Sequence, residues 1–263
     1  MSKARTSTTA TGNSANSTAD RAIDILLLFT DDRPTWSASD IAAYFAMPRS
    51  TTYRYLNSLR AYALIVEDEG GGFRLGPRIF PLARVARKST SIIRIAAPHL
   101  ATLGEQFGEL AVLHQRVGPD LLTIDRVESR QSISIRATRS HLLPWPATAS
   151  AKLLLAFAPE AERAELMGRL EPTRFTANTL PDLPALRAAL EEIRISGIAY
   201  TNEERNEGVW GVAAPVFHRG EVRNCVAIAV PRFRVNDGNI ASFATAVQNA
   251  ATRIGEALGA VDF

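Results

Sequence analysis

Arg49, Ser50, Thr51, Arg54 and Asn57 lie on one side of a helix expected over residues 48–60. Their guanidinium, hydroxyl and amide groups are the types that reach phosphate oxygens and base edges, and none is acidic. The other side carries Thr52, Tyr55, Leu56 and Leu59, at the i, i+3, i+4, i+7 spacing of a helix buried along one stripe. A helix that packs by one stripe and presents donors along the other suits the DNA major groove. Tyr53 sits at the edge of the donor face, and Arg74 follows in a hairpin where it would meet the phosphate backbone. The candidate DNA contacts are therefore Arg49, Ser50, Thr51, Tyr53, Arg54, Asn57 and Arg74.

The flanking elements position that helix. Ser37 and Asp40 have the S-x-x-D spacing of a helix start, and Ile41, Ala42 and Phe45 form one apolar face behind it. Met47-Pro48 breaks the run, with proline at the entry of the next helix. A strand at 63–66, the tip Glu67-Asp68-Glu69-Gly70-Gly71-Gly72 and the return Phe73-Arg74-Leu75 read as a hairpin wing. A basic, half-buried helix by itself is commonly just a solvated surface helix. Two short helices, a tight break and a Gly-tipped hairpin in this order favour a winged helix-turn-helix. Charge supports it: no Asp or Glu occurs from Gly70 to Gly104, where Arg74, Arg78, Arg84, Arg87, Lys88 and Arg94 all fall.

At 263 residues, 46% hydrophobic and 22% charged, the chain has the composition of a soluble globular protein of about two domains. The net charge of +3 says little about partners. Cys225 is the sole cysteine, so no intrachain disulfide framework exists, which fits a reducing cytoplasm. No apolar run reaches the ~18 residues of a membrane span, so no membrane partner is expected. Residues 1–18 are rich in Ser, Thr, Ala and Asn and read as a disordered tail. A DNA-binding domain is expected over 19–77, a linker helix over 78–94 and an effector-binding domain over 95–263.

The C-terminal part changes pattern. Strands are expected at 110–117, 121–127, 132–137, 197–202, 209–217 and 222–230. Helices are expected at 91–107, 148–157, 159–170, after Leu183, and at 237–258. The fold class is α+β: a largely antiparallel sheet with helices packed against it.

Together these segments resemble the isocitrate lyase regulator (IclR) family. Arg21-Ala22-Ile23-Asp24-Ile25-Leu26, Pro48-Arg49-Ser50-Thr51-Thr52-Tyr53-Arg54 and Phe73-Arg74-Leu75-Gly76 are similar to its DNA-binding half. Asp125-Arg126-Val127-Glu128-Ser129, the run from Ala147 to Ala156 and the run from Gly208 to Phe217 are similar to its effector half. The resemblance implies a winged helix-turn-helix, a linker helix and a GAF-like effector domain. It implies homodimers, often paired into tetramers, on palindromic double-stranded operators, and a small-molecule effector in a cleft beside the sheet.

Carried onto this chain, the effector contacts are Thr148, Ala149, Ser150, Asn202, Glu203, Gly211 and Ala229, and Trp145, near the same segments, is counted with them as a candidate. Free amides at a helix start over 148–150 would attract a carboxylate, though Thr148 and Ser150 are also ordinary capping residues. Members that take small oxo-acids carry a cysteine at the position of Gly211 and serines at those of Ala229 and Pro231. Losing those groups favours an acid with a larger apolar or aromatic body, with Leu143, Trp145 and Trp210 as further candidate walls.

An enzyme is the competing class. No G-x-S-x-G occurs, and Ser150-Ala151-Lys152 would need a lysine of depressed pKa to make a nucleophile. His99, His114, His141, His218 and Cys225 have no local metal-ligand spacing, so no metal, cofactor or catalytic residue is assigned. Glu128 and Glu203 have no reason to act as acid and base. A hydrolase-like C-terminal domain, or a nucleic-acid-binding adaptor without effector, stays as the alternative. An enriched DNA site would argue against both, and hydrolase activity would favour the first.

Overall fold

The computed structural model describes residues 18–30, 33–89, 91–135, 140–141, 143 and 145–261. The expected tail, apart from Thr18, lies outside these residues. The chain divides into two compact units, Met1–Ala86 and Arg87–Phe263.

In the first unit, α1 (Thr18–Leu27), α2 (Ala38–Tyr44) and α3 (Arg49–Ala61) pack around Ile25, Ile41, Leu56 and Ile65, all fully buried. Ser37 caps α2, its hydroxyl accepting from the Asp40 amide at 3.1 Å. The stripe Thr52, Tyr55, Leu56 and Leu59 is the buried face of α3. The wing is three-stranded: β1 (Trp36–Ser37) pairs with β3 (Gly72–Leu75), which pairs with β2 (Ile65–Glu67). β1 is too short to show any periodicity. Ala63, expected to open the wing strand, is instead a turn residue at φ 54°, and β2 starts two positions later. α4 (Ile79–Ser89) follows, and the division between the units falls within it.

In the second unit, a six-stranded antiparallel sheet runs β6-β5-β4-β9-β8-β7. Its strands are β4 (Leu110–Val117), β5 (Asp120–Val127), β6 (Ser140–His141), β7 (Ala199–Asn202), β8 (Val209–His218) and β9 (Glu221–Pro231). Side chains alternate between faces along each strand. Ala111, Leu113, Val212, Val226 and Ile228 point to one face, covered by α5 (Ser91–Phe107) and α9 (Asp237–Val261). Leu110, Val112, Ala213, Cys225 and Ala227 point to the other, covered by α6 (Ala149–Ala156), α7 (Glu160–Gly168) and α8 (Leu183–Ser196). The fold is thus the α+β arrangement of an N-terminal helix-turn-helix unit and an antiparallel-sheet unit.

The strand expected at 132–137 is not present over 132–135, and 136–137 lie outside the described residues. Alternation in Ser132-Ile133-Ser134-Ile135 has no neighbouring strand to pair with. Ile133 stays exposed, and its carbonyl accepts from Arg234 instead.

Gly255 sits where α9 meets the sheet: a Cβ there would stand 2.5 Å from the Phe217 carbonyl oxygen. Gly259, one turn on, faces open space. Gly255→Ala is expected to lower the urea midpoint of the second unit. Gly259→Ala should raise stability by up to ~1 kcal/mol through helix propensity. Equal responses would show that α9 does not approach the sheet this closely.

Candidate DNA-contact helix and ligand cavity

α3 presents Arg49, Ser50, Tyr53, Arg54 and Asn57 to solvent, with Thr51 half-buried beside them and Arg74 exposed on β3. The face is partly pre-arranged. Arg49 donates to the Ser39 hydroxyl at 2.9 Å, tying α3 to α2. Arg60 donates to the Asn57 amide oxygen at 3.1 Å and pairs with Glu67 at 2.9 Å. Asn57 therefore keeps its NH₂ donors for an outside partner. At the wing tip the Asp68 carboxylate accepts from the Gly70 and Gly72 amides, which fixes the turn.

α6 organises the second unit. Every residue from Ala149 to Ala156 is buried, Ser150 and Lys152 included. Thr148 is the cap, its hydroxyl accepting from the Ala151 amide at 3.2 Å. Ser150 is not a capping residue. Its hydroxyl lies 2.9 Å from His114 Nδ1 on β4, and both groups are buried. Cys225 pairs with His114 across β4 and β9, next to Ser150. Burial alone lowers the His114 pKa to about 4, so the imidazole is neutral near pH 7. Burial pushes the Cys225 thiol up to about 12. That leaves the thiol no nucleophilic role at neutral pH.

Lys152 meets a counter-ion the sequence pattern did not single out. Its ammonium donates to Glu204 Oε1 at 2.6 Å, with the two side chains 5% and 12% exposed. Burial raises the Glu204 pKa, against the opposing pull of Lys152. Glu204 Oε2 is buried with no partner. The Thr176 hydroxyl donates to the Glu203 carbonyl at 2.6 Å and the Thr179 hydroxyl to the Glu204 carbonyl at 2.7 Å, so the segment between α7 and α8 holds the acidic one in place.

Between α6 and the sheet lies a cavity of about 100 Å³. It exists because β8 and β9 present Gly211, Ala227 and Ala229 towards α6, where larger side chains would close it. Thr148, Ala149 and Ser150 line its helix side, and His114 and Glu204 add polar groups. Thr148, Ala149, Ser150, Gly211 and Ala229 thus come together. The other three expected contacts do not line it. Asn202 is exposed, and its carbonyl accepts from Asn178. Glu203, at φ 59°, turns its carboxylate back onto the Gly208 amide at 2.7 Å. Trp145 is 2% exposed within the apolar cluster under α6, its indole N–H without a partner. Trp210 points to the opposite face of the sheet, against Tyr200 and Phe243.

His114 and Glu204 escaped the sequence reading, although each left a trace. Strand alternation puts His114 on the inward face with Leu110 and Val112. A lysine in an otherwise apolar buried helix demands an acid. Among the described residues no group of three or more His, Cys, Asp or Glu could hold a metal ion, and no helix is long and apolar enough to cross a membrane.

Comparison with known proteins agrees with both halves. Residues 18–69 match the IclR helix-turn-helix domain, and residues 85–256 match the Bacterial transcriptional regulator IclR C-terminal domain. The chain belongs to the IclR family of transcriptional regulators. It is similar to the HTH-type transcriptional regulator XynR of Escherichia coli K12, 30% identical over 242 residues that cover 91% of this chain and 96% of XynR. Its similarity to TtgV of Pseudomonas putida is 34% over 179 residues, 67% of each chain. Among solved structures, an IclR regulator from Silicibacter sp. TM1040 superposes with a TM-score of 0.81 at 25% identity, covering 92% of this chain and 96% of that one. The Thermotoga maritima IclR gives 0.67 at 28% identity, covering 92% and 98%. The protein is a DNA-binding regulator and not an enzyme, so the Ser150–His114 pair has no hydrolytic role to fill.

The buried imidazole makes the IclR C-terminal unit acid-sensitive. Above the ordinary imidazole value of 6.5, folded and unfolded chains both hold His114 neutral. Below it the unfolded chain takes a proton that the folded chain refuses until about pH 4. Stability contributed by neutral His114 is therefore complete above 6.5 and lost as pH falls through that window. The loss reaches ~3 kcal/mol, at roughly 1.4 kcal/mol per pH unit. Urea unfolding at pH 7 and pH 5 should show a steeper loss for the wild type than for His114→Gln. Identical slopes would mean that His114 is not held neutral in the folded chain.

Proposed function

We propose that this IclR-family protein is a ligand-responsive regulator that represses or activates a catabolic operon in the cytoplasm. Its effector would be a carboxylic acid with an apolar or aromatic body. The observation that carries this reading is the cavity under α6, walled by Gly211, Ala227 and Ala229 on one side and by the helix start on the other. An acid would lie at the amides of Ala149 and Ser150, which helix geometry leaves without intrahelical acceptors. Its body would lie along the small strand residues. Two findings on relatives support a ligand of this kind and a switch. An IclR homologue from Microbacterium hydrocarbonoxydans has been solved with 4-hydroxybenzoate. AllR of Klebsiella pneumoniae, 27% identical, is named a repressor.

In this reading residues 19–77 bind DNA through Arg49, Ser50, Thr51, Tyr53, Arg54, Asn57 and Arg74. Residues 78–94 link them to the effector-binding part. A single recognition helix reads only a few base pairs, so pairing on an inverted repeat follows. Exposed apolar side chains supply a surface for it: Ile23 and Leu27 on α1, Phe80 and Leu82 on α4. The ligand acts only by preferring one arrangement of the pair over another.

Selection from random DNA pools should enrich an inverted repeat. Arg54→Ala should weaken binding to it, and where Arg54 reads a base, cost about 1–3 kcal/mol of discrimination at that position. A folded Arg54→Ala protein with unchanged affinity and specificity would remove α3 from the groove. Light scattering at micromolar concentration should give at least a dimer, and Phe80→Asp should weaken it. A wild-type monomer with and without DNA would contradict the pairing.

A thermal-shift screen should find aromatic acids more stabilising than glyoxylate or pyruvate. A ligand at 100 times its dissociation constant adds about 2.7 kcal/mol. Ala229→Leu, which fills the cavity, should abolish that gain and leave operator binding intact. Stabilisation by small oxo-acids alone would overturn the reading of Gly211 and Ala229.

A further inference from the structure

We propose that His114 is the group that balances an acidic ligand in the cavity, taking a proton from solvent as the acid binds. This rests on the cavity being the effector site, and it adds a proton to the binding equilibrium.

The geometry brings the imidazole to the place where the acid would sit. His114 Nδ1 is 2.9 Å from the hydroxyl of Ser150, in the first turn of α6, and both residues line the cavity. A carboxylate at the first amides of α6 therefore lies beside the ring. Other charged and titratable groups line the same cavity or pack beside it, Glu204 among them with its Oε2 unpartnered. From α6, Lys152 is matched by Glu204 at 2.6 Å. From β9, the buried Cys225 thiol faces His114 across the strands and keeps its proton. From the segment after β7, Arg205 lines the cavity and lies over the Phe175 ring at 3.9 Å. β5 brings the uncharged Thr123 to the register position opposite His114.

A new buried anion needs a compensating positive charge. Arg205 brings a standing cation to the cavity wall, and the neutral imidazole beside the helix start acquires a charge by taking a proton. Without ligand, burial holds it unprotonated. With an anion in contact, the charged form is favoured. Nδ1–H then donates to Ser150 Oγ, and Nε2–H becomes the donor to the acid. The proton comes from water and returns to it when the ligand leaves. Effector affinity then rises as pH falls, by at most about tenfold per pH unit.

The test is calorimetric titration of the full-length protein with benzoate, and with pyruvate as a second probe. It is run from pH 7 to pH 5.5 in buffers of high and low ionisation enthalpy. Proton uptake should appear and grow towards about one per site as the pH falls. His114→Gln should bind the same acid several-fold more weakly at pH 5.5, with the uptake abolished. Binding without uptake in the wild type, or equal uptake in His114→Gln, overturns the proposal. If the variant does not fold, the wild-type imidazole carbon-bound proton resonances decide. One buried imidazole should move to its charged position with saturating acid, and no movement overturns the proposal. Failure of both acids to bind is a separate result: it removes the acid reading of the cavity, and this inference with it.

Discussion

Burial of α6 on every side is the constraint from which the second unit follows. A helix with no solvent face carries polar groups only where the fold supplies partners, because an unmatched buried charge costs several kcal/mol. α6 carries two such groups. Ser150 is answered by His114 from β4, and Lys152 by Glu204 from the segment after β7. Those two pairs join helix, sheet and loop, so the polar chemistry of the cavity and the packing of the unit rest on the same contacts. Thr176 and Thr179 extend the arrangement outward by holding the carbonyls of the acidic segment.

The cavity arises from the complementary fact that β8 and β9 face α6 with residues too small to reach it. Leu110 and Val112 on β4 fill their part of the interface, while Gly211, Ala227 and Ala229 leave theirs open. Space, a helix start and a neutral imidazole thus coincide beneath one helix. In the DNA-binding unit packing and contact are separated instead. The buried stripe of α3 anchors the helix, while its other side is tied down by exposed polar contacts such as Arg49 to Ser39, Asn57 to Arg60 and Arg60 to Glu67.

Local rules make much of this legible in the amino-acid sequence. The α3 stripe, the Ser37 cap and the strands around Gly118 and Gly220 follow from short-range periodicity and turn chemistry, and the structure has them. The family resemblance brings together Thr148, Ala149, Ser150, Gly211 and Ala229, which do line one cavity. What stays hidden depends on partners distant in the chain. His114 and Ser150 are 36 positions apart, and Lys152 and Glu204 are 52. No pattern at that range distinguishes Glu204 from its neighbour Glu203, whose backbone at positive φ sends its carboxylate back to Gly208. β1 is illegible because two residues have no period, and 132–135 mislead because alternation needs a partner strand to become a sheet.

The dependence of the unit on its buried pairs is tested most directly by a double-mutant cycle at Lys152 and Glu204. Urea unfolding would be measured for the wild type, Lys152→Met, Glu204→Leu and the double variant. Each single change should cost about 3 kcal/mol, because it leaves the other charge buried and unmatched. The double variant should recover much of that, with a coupling energy above about 1.5 kcal/mol. Strictly additive losses, or single variants as stable as the wild type, would contradict the account of α6 as the helix whose buried polar groups hold the unit together.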